Sequence, residues 1–215
     1  LDTGPLSKND VINMSVEKDK RQAVAIHHSA THLMHAALKE ILGDHVQQKG
    51  SLVDEHKLRF DFSHDKPLTP EEISKIENIV NHEMLNNLEV TTEIMDLDKA
   101  IESGAQALFG EKYDDEVRVL SMGAKAFSVE LCGGTHVDRT GDMGLFIIIN
   151  QSSVASGIRR VEALSGKRAI KYLEDLRSVN NSIQQLLNSS QDDLEQKVKT
   201  LLSENFWKDK IKVKK

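Results

Sequence analysis

Two pairs of side chains in this sequence have the chemistry to hold a soft cation. His28-Ser-Ala-Thr-His32 places two imidazoles in a stretch with no Pro or Gly, and Cys132-Gly-Gly-Thr-His136 pairs the chain's one thiol with another imidazole. On a helix the H-x-x-x-H spacing puts both rings on one face, a turn apart, where they reach one ion. Gly133 and Gly134 permit backbone angles that let a loop wrap closely around a metal. One thiolate with three imidazoles suits zinc better than calcium or magnesium, which take oxygen. Spacing by itself does not prove a loop-to-helix pairing over such a separation. His27, His45, His56, His64 and His82 read as surface or satisfied core groups. His35, three residues beyond His32 on the same face, is either a group supporting the ligands or a substitute ligand.

The elements that must position these residues follow from pattern. Residues 17 to 42 predict one helix, Ala-rich and free of breakers, with Gly43 where a helix stop is expected. His45 to Val53 and Lys57 to Ser63 alternate as a hairpin turned at Asp54-Glu55. Thr69-Pro70-Glu71-Glu72 announces a capped helix whose apolar stripe is Ile73, Ile76, Ile79, Val80 and Met84. Leu88 to Met95, Val117 to Met122, Ala126 to Leu131 and Leu145 to Gln151 read as strands, and Asp98 to Glu102 as a short helix ended by Gly104. Connections this short exclude parallel crossovers between several neighbouring strands. The expected class is therefore α+β, a largely antiparallel sheet with packed helices, followed by a C-terminal helical segment.

Three segments are expected: 1–15 as the remnant of a preceding domain or linker, 16–165 as the metal-binding domain, and 166–215 as the helical segment. In the last, Ile170, Leu173, Leu176, Val179, Ile183, Leu186 and Leu187 keep a helical beat, and Leu194, Val198, Leu201 and Leu202 resume it. Packing of that face on its own domain and self-association through it both remain open. The start at Leu1 and the basic ending Lys208 to Lys215 read as those of a piece cut from something longer.

The chain has 215 residues, enough to bury a core, with 39% hydrophobic and 29% charged residues. No apolar run approaches the roughly 20 residues of a membrane span, and the N-terminus lacks a signal-peptide pattern. One cysteine allows no internal disulfide. A cytoplasmic protein with no membrane partner is expected. The net charge of −6 is unlike that of a general nucleic-acid binder, so any RNA contact must be local. Arg159 and Arg160, with Lys167, Arg168 and Lys171 after them, form the best basic cluster. A zinc peptidase is excluded, because the helix lacks the glutamate that such enzymes carry next to the first histidine.

His28-Ser-Ala-Thr-His32-Leu-Met-His35-Ala-Ala-Leu38, Gln48-Lys-Gly-Ser-Leu-Val53, Leu58-Arg-Phe-Asp-Phe62, Ala107-Leu-Phe-Gly-Glu-Lys-Tyr113, Glu130-Leu-Cys-Gly-Gly-Thr-His136 and Gly157-Ile-Arg-Arg-Val-Glu162 together resemble the editing domain of bacterial alanyl-tRNA synthetases, over about residues 16 to 165. The related threonyl enzymes typically carry C-R-G-P-H where this chain has Cys132-Gly-Gly-Thr-His136. The resemblance implies the second additional domain fold of the threonyl and alanyl enzymes. It also implies hydrolysis of the ester in mischarged seryl- and glycyl-tRNA(Ala), with the tRNA(Ala) acceptor end as partner. It makes His28, His32, Cys132 and His136 zinc ligands, and Gln48 and Thr31 pocket residues. Arg159 and Arg160 are the local tRNA contacts proposed with it. Ligation with ATP and Mg2+ would belong to a missing ligase domain of the parent. Two alternatives stay open: a free-standing trans-editing hydrolase, and a zinc-stapled RNA-binding or oligomerisation module without catalysis.

Overall fold

Helix α1, Lys18–Leu42, is the element on which everything else converges, and its sequence explains why. From Ser29 to His35 every residue is buried, so the helix runs through the interior and shows no single apolar stripe. Ala30, Leu33, Met34, Ala37 and Leu38 bury their apolar groups in the main core. Histidine, serine and threonine at the intervening positions must each find a polar partner there. Gly43 ends the helix at φ 111°, with its N–H bonded to the carbonyl of Lys39.

The computed structural model describes residue 5, residues 7–107 and residues 113–203. Positions 108 to 112 of the Ala107–Tyr113 word, the basic tail from 208 and part of the first fifteen residues lie outside the described residues. Contacts divide the chain into two units, Leu1–Ala169 and Ile170–Lys215.

In the first unit the hairpin forms as predicted, β1 at Gln48–Val53 and β2 at Leu58–Ser63. It belongs to a four-stranded antiparallel sheet completed by β6, Phe146–Ala155, and β7, Ile158–Ser165, in the order β1-β2-β7-β6. The inner face carries Leu58, Phe60, Phe62, Val161 and Ala163, all fully buried. The outer face carries an ion-paired ladder in which Lys57 meets Glu162 and Arg160 meets Asp61. A second, three-stranded antiparallel sheet holds β3, Thr91–Asp96, β4, Glu116–Met122, and β5, Ser128–Leu131. The predicted antiparallel pairing therefore forms in two sheets. Leu88 to Val90, expected as strand, instead bond to the 138–140 loop, with Val90 N to Asp138 O at 2.9 Å.

Two further α-helices, α2, Pro70–Leu85, and α3, Leu97–Glu102, and a short 3-10 helix, Thr140–Met143, belong to the described part of this unit. Thr69 Oγ1 accepts from Glu72 N at 3.2 Å while Glu72 Oε2 accepts from Thr69 N at 2.7 Å, the reciprocal capping box that the sequence announced. Thr69→Ala is expected to lower stability by about 1 kcal/mol. The measurement is a urea midpoint, and because α2 carries no predicted ligand, metal stoichiometry should not change. In the second unit, α4, Lys167–Leu187, which begins at the end of the first unit, is followed by α5, Leu194–Ser203. Leu173, Leu176, Val179 and Leu186 of α4 are exposed.

Candidate metal centre

His28, His32, Cys132 and His136 come together, each offering one donor atom, with all four atoms within 4.8 Å of one another. Cys132 Sγ lies 3.6 Å from His28 Nε2 and 3.2 Å from His136 Nε2. Donors around a tetrahedral zinc ion sit roughly 3.3 to 3.6 Å apart, from its usual Zn–N and Zn–S lengths. The three rings converge, with centroids 4.3 Å apart for His28 and His136 and 5.0 Å apart for His28 and His32. His32 Nε2 is a buried nitrogen without a hydrogen-bond partner. In a closed interior such an atom is costly, and a cation among the four donors would satisfy it.

The loop is held by its neighbours. Cys132 N donates to Arg118 O at 3.0 Å, and the Arg118 guanidinium donates back to Cys132 O at 3.1 Å and Gly134 O at 2.5 Å. At Gly134 space is decisive, because a Cβ there would lie 2.2 Å from His28 Cε1. Gly133 has open space around it and carries no such requirement. Ser29 Oγ pairs with His136 Nδ1 at 3.1 Å and accepts from Val137 N at 3.2 Å, orienting that ring from the helix.

Glu130 does the same for His32. It is 4% exposed, and its two carboxylate oxygens take different imidazoles, His32 Nδ1 at 2.8 Å and His35 Nδ1 at 3.1 Å. Burial pushes this carboxyl up, but His32 and then His35 outweigh burial and hold it well below the usual carboxylate range. His32 is correspondingly raised, the Glu130 charge overcoming its burial. At Cys132 burial also works against ionisation, and the hydrogen bonds from His136 and His28 override it, bringing the thiol down to about 3. A thiolate is the form that binds metal.

The other predicted site residues fall in different places. His35 is not among the four converging donors; it lies behind them on Glu130. Gln48 lines a cavity of about 270 Å³ together with His35, Lys39, Val46, Gln106 and Glu130. Thr31, between the two helical ligands, is buried with its hydroxyl donating to His27 O at 2.8 Å. Arg160 forms two bonds of 2.7 Å to Asp61, whereas Arg159 donates to Gln151 at 3.2 Å. As neighbours on β7 they point to opposite faces of the sheet, so they do not form one basic patch. Glu130, Ser29 and Arg118 were not singled out by sequence reasoning. The one available signal was Glu130, a carboxylate two residues before Cys132 in a predicted strand.

Residues 117–162 match the threonyl and alanyl tRNA synthetase second additional domain. That range contains Glu130, Cys132 and His136, while His28, His32 and Gln48 lie outside it. Over nearly its whole length the chain is also similar to one segment of alanine–tRNA ligases. It is 52% identical over 202 residues to that of Saccharophagus degradans, covering 94% of this chain and 23% of the relative. For Parvibaculum lavamentivorans the figures are 51% over 210 residues, 95% and 24%. For Paraburkholderia xenovorans they are 52% over 198 residues, 92% and 22%. The chain is thus similar to a segment that spans about a quarter of the length of those relatives. Among the described residues no helix is long and apolar enough to cross a membrane.

Proposed function

We propose that this chain is the editing part of an alanyl-tRNA synthetase, and that it hydrolyses the ester of mischarged seryl- and glycyl-tRNA(Ala). The observation that carries this reading is Glu130, which joins the four-donor cluster to the cavity, since it bonds His32 on one side and lines the cavity on the other. A cluster built only to staple the fold has no need of a neighbouring cavity.

The physical need for such a site is general. A synthetic pocket shaped for alanine cannot exclude smaller glycine and rejects an added hydroxyl only weakly, so errors must be removed elsewhere. His28, His32, Cys132 and His136 would hold zinc; with all four bound the ion would be closed and would order the site, and with one donor displaced it would supply Lewis-acid chemistry. The protein's own residues do the sorting. Gln48, half-buried on the cavity wall, offers an amide that both donates and accepts, and we assign it contact with the substrate or its attacking water. Thr31 holds the helix turn between the two histidines through its bond to His27 O. Arg159, tied to Gln151 through one guanidinium nitrogen, is the arginine we assign to a phosphate of the acceptor end. Arg160 is engaged with Asp61 and contributes through the sheet. The parent charges tRNA(Ala) with ATP and Mg2+ in a separate domain, works in the cytoplasm, and self-associates through the exposed apolar face of α4.

The test is deacylation of seryl-tRNA(Ala) and alanyl-tRNA(Ala) by this chain at low salt, zinc-loaded and after chelation. Zinc-dependent turnover of the seryl ester with the alanyl ester spared is the expected result. Equal hydrolysis of both, or turnover indifferent to chelation, would sink the proposal.

A further inference from the structure

Three side chains that line the cavity beside the cluster are acidic or basic: Lys39, Asp44 and Glu130. Glu130 is used inside the protein, since each of its carboxylate oxygens takes an imidazole. Lys39 and Asp44 differ from it. Among the described residues neither forms a hydrogen bond or an ion pair through its side chain, and both reach solvent, Lys39 half-buried and Asp44 exposed. Gln47, Gln48 and Gln106 add neutral amides to the same wall. The cavity therefore offers a ligand one cation and one anion that the fold leaves uncommitted.

Both charges are carried by one fixed helix end. Lys39 continues the face of α1 that carries His32 and His35, seven and four residues further on. Two helical turns put it about 10 Å along the helix from a ligand of the cluster. Asp44 follows directly after the helix stop at Gly43, whose N–H donates to Lys39 O at 2.8 Å and so closes the turn that joins the two residues. Opposite charges this near in sequence that leave each other unpaired suit a ligand carrying both signs. An aminoacyl group esterified to the 3′ end of an RNA is such a ligand: an ammonium lies on one side of the ester, and a phosphodiester lies across the ribose on the other. An ester, a ribose and a phosphate in line cover a span comparable to those two turns.

We infer that Lys39 and Asp44 form a two-charge clamp on the end of the substrate, Lys39 binding the phosphate that precedes the terminal nucleoside and Asp44 binding the ammonium of the aminoacyl group. This rests on the editing reading above. Arg159 does not line the cavity, so the phosphate assigned to it is a different one. The clamp touches neither the amino-acid side chain nor the metal cluster. It sets how the ester lies in the cavity, and it rejects esters whose amino group is blocked, as in a peptidyl-RNA.

The test removes each charge from the ligand and from the protein in turn. The probe is adenosine carrying a seryl group through a non-hydrolysable 3′-amide, with a 5′-phosphate standing in for the phosphodiester, without that phosphate, or with the phosphate and an N-acetylated amine. Binding to the zinc-loaded 215-residue chain and to Lys39→Met, Lys39→Arg and Asp44→Asn is measured by calorimetry. In the unsubstituted chain, loss of either ligand charge is expected to weaken binding roughly 10-fold. Lys39→Met should become indifferent to the phosphate while still responding to acetylation, and Asp44→Asn should do the reverse, each with zinc content unchanged. Lys39→Arg keeps the cation and should keep the response to phosphate. A lysine that merely complements the end of α1 would lower stability on substitution without distinguishing one ligand from another. If both variants respond to the two ligand charges as the unsubstituted chain does, or if that chain binds none of the probes, the clamp is overturned. Deacylation of seryl-tRNA(Ala) on the same preparations separates the clamp from the reading on which it rests. Charge-dependent binding with no ester turnover removes the hydrolysis and leaves the clamp standing. Zinc-dependent turnover with binding indifferent to both ligand charges overturns the clamp and leaves the hydrolysis standing.

Discussion

Cys132→Ala is expected to lose hydrolysis of the seryl ester and to bind zinc more than roughly 100-fold more weakly, while keeping its fold. The size follows from the position of the thiolate: even groups that merely orient a ligand are worth 10- to 100-fold in metal affinity, and Cys132 is itself a donor. Its Sγ is the atom shared by His28 and His136, at 3.6 and 3.2 Å, so its removal leaves three imidazoles with no anion among them. Retention of the fold follows from the core. Leu33, Met34 and Leu38 anchor α1 in one core with Phe60, Phe62, Phe146 and Val161, against which Cys132 packs only as a partly buried residue. The loop keeps its ties to Arg118 and Ser29. Zinc competition titration, circular dichroism and deacylation of seryl-tRNA(Ala) on one preparation separate the outcomes. Unfolding of the variant would support a metal that staples the structure, and unchanged zinc affinity would place the metal elsewhere.

That distinction between staple and site bears on what the sequence made legible. Helix α1 and its stop at Gly43, the β1–β2 hairpin and the capping box at Thr69 are local: each is decided by residues within a few positions of one another. The two ligand pairs are local too, and only their meeting is not. Strand β7 escaped because its outer face is charged. Ile158-Arg-Arg-Val-Glu-Ala-Leu-Ser165 has two arginines in succession and an uneven alternation, yet it lies between β2 and β6 in the centre of the sheet. Arg160 and Glu162 are tolerable there because Asp61 on β2 and Lys57 just before it stand beside them, partners visible only once the strand order is known. The split of the strands into two sheets was hidden for the same reason. Around the site, Thr31 and Gln48 were named from resemblance, and geometry then distinguished them, one bonded within its helix and the other on the cavity wall.

Glu130→Gln is the substitution expected to test the coupling of cluster and cavity. The carboxylate receives two imidazole N–H groups, from His32 at 2.8 Å and from His35 at 3.1 Å, in a site that is 4% exposed. Glutamine fills the same space but has one acceptor oxygen, and its amide nitrogen confronts the second ring donor to donor. One histidine must therefore turn, change tautomer or leave a buried N–H unpaired, at about 1–3 kcal/mol. If His32 is the one that yields, its Nε2 no longer aims at the other donors, and zinc affinity should fall roughly 10- to 100-fold. If His35 yields, zinc is retained and the cavity wall that it lines changes instead, so turnover of the esters shifts. Zinc titration and the seryl-to-glycyl ratio on the same variant therefore report which end of the carboxylate is the stronger, and a loss in both means that the two sites share one support. Wild-type zinc affinity together with a wild-type ratio would show that Glu130 joins cluster and cavity in space without linking their functions.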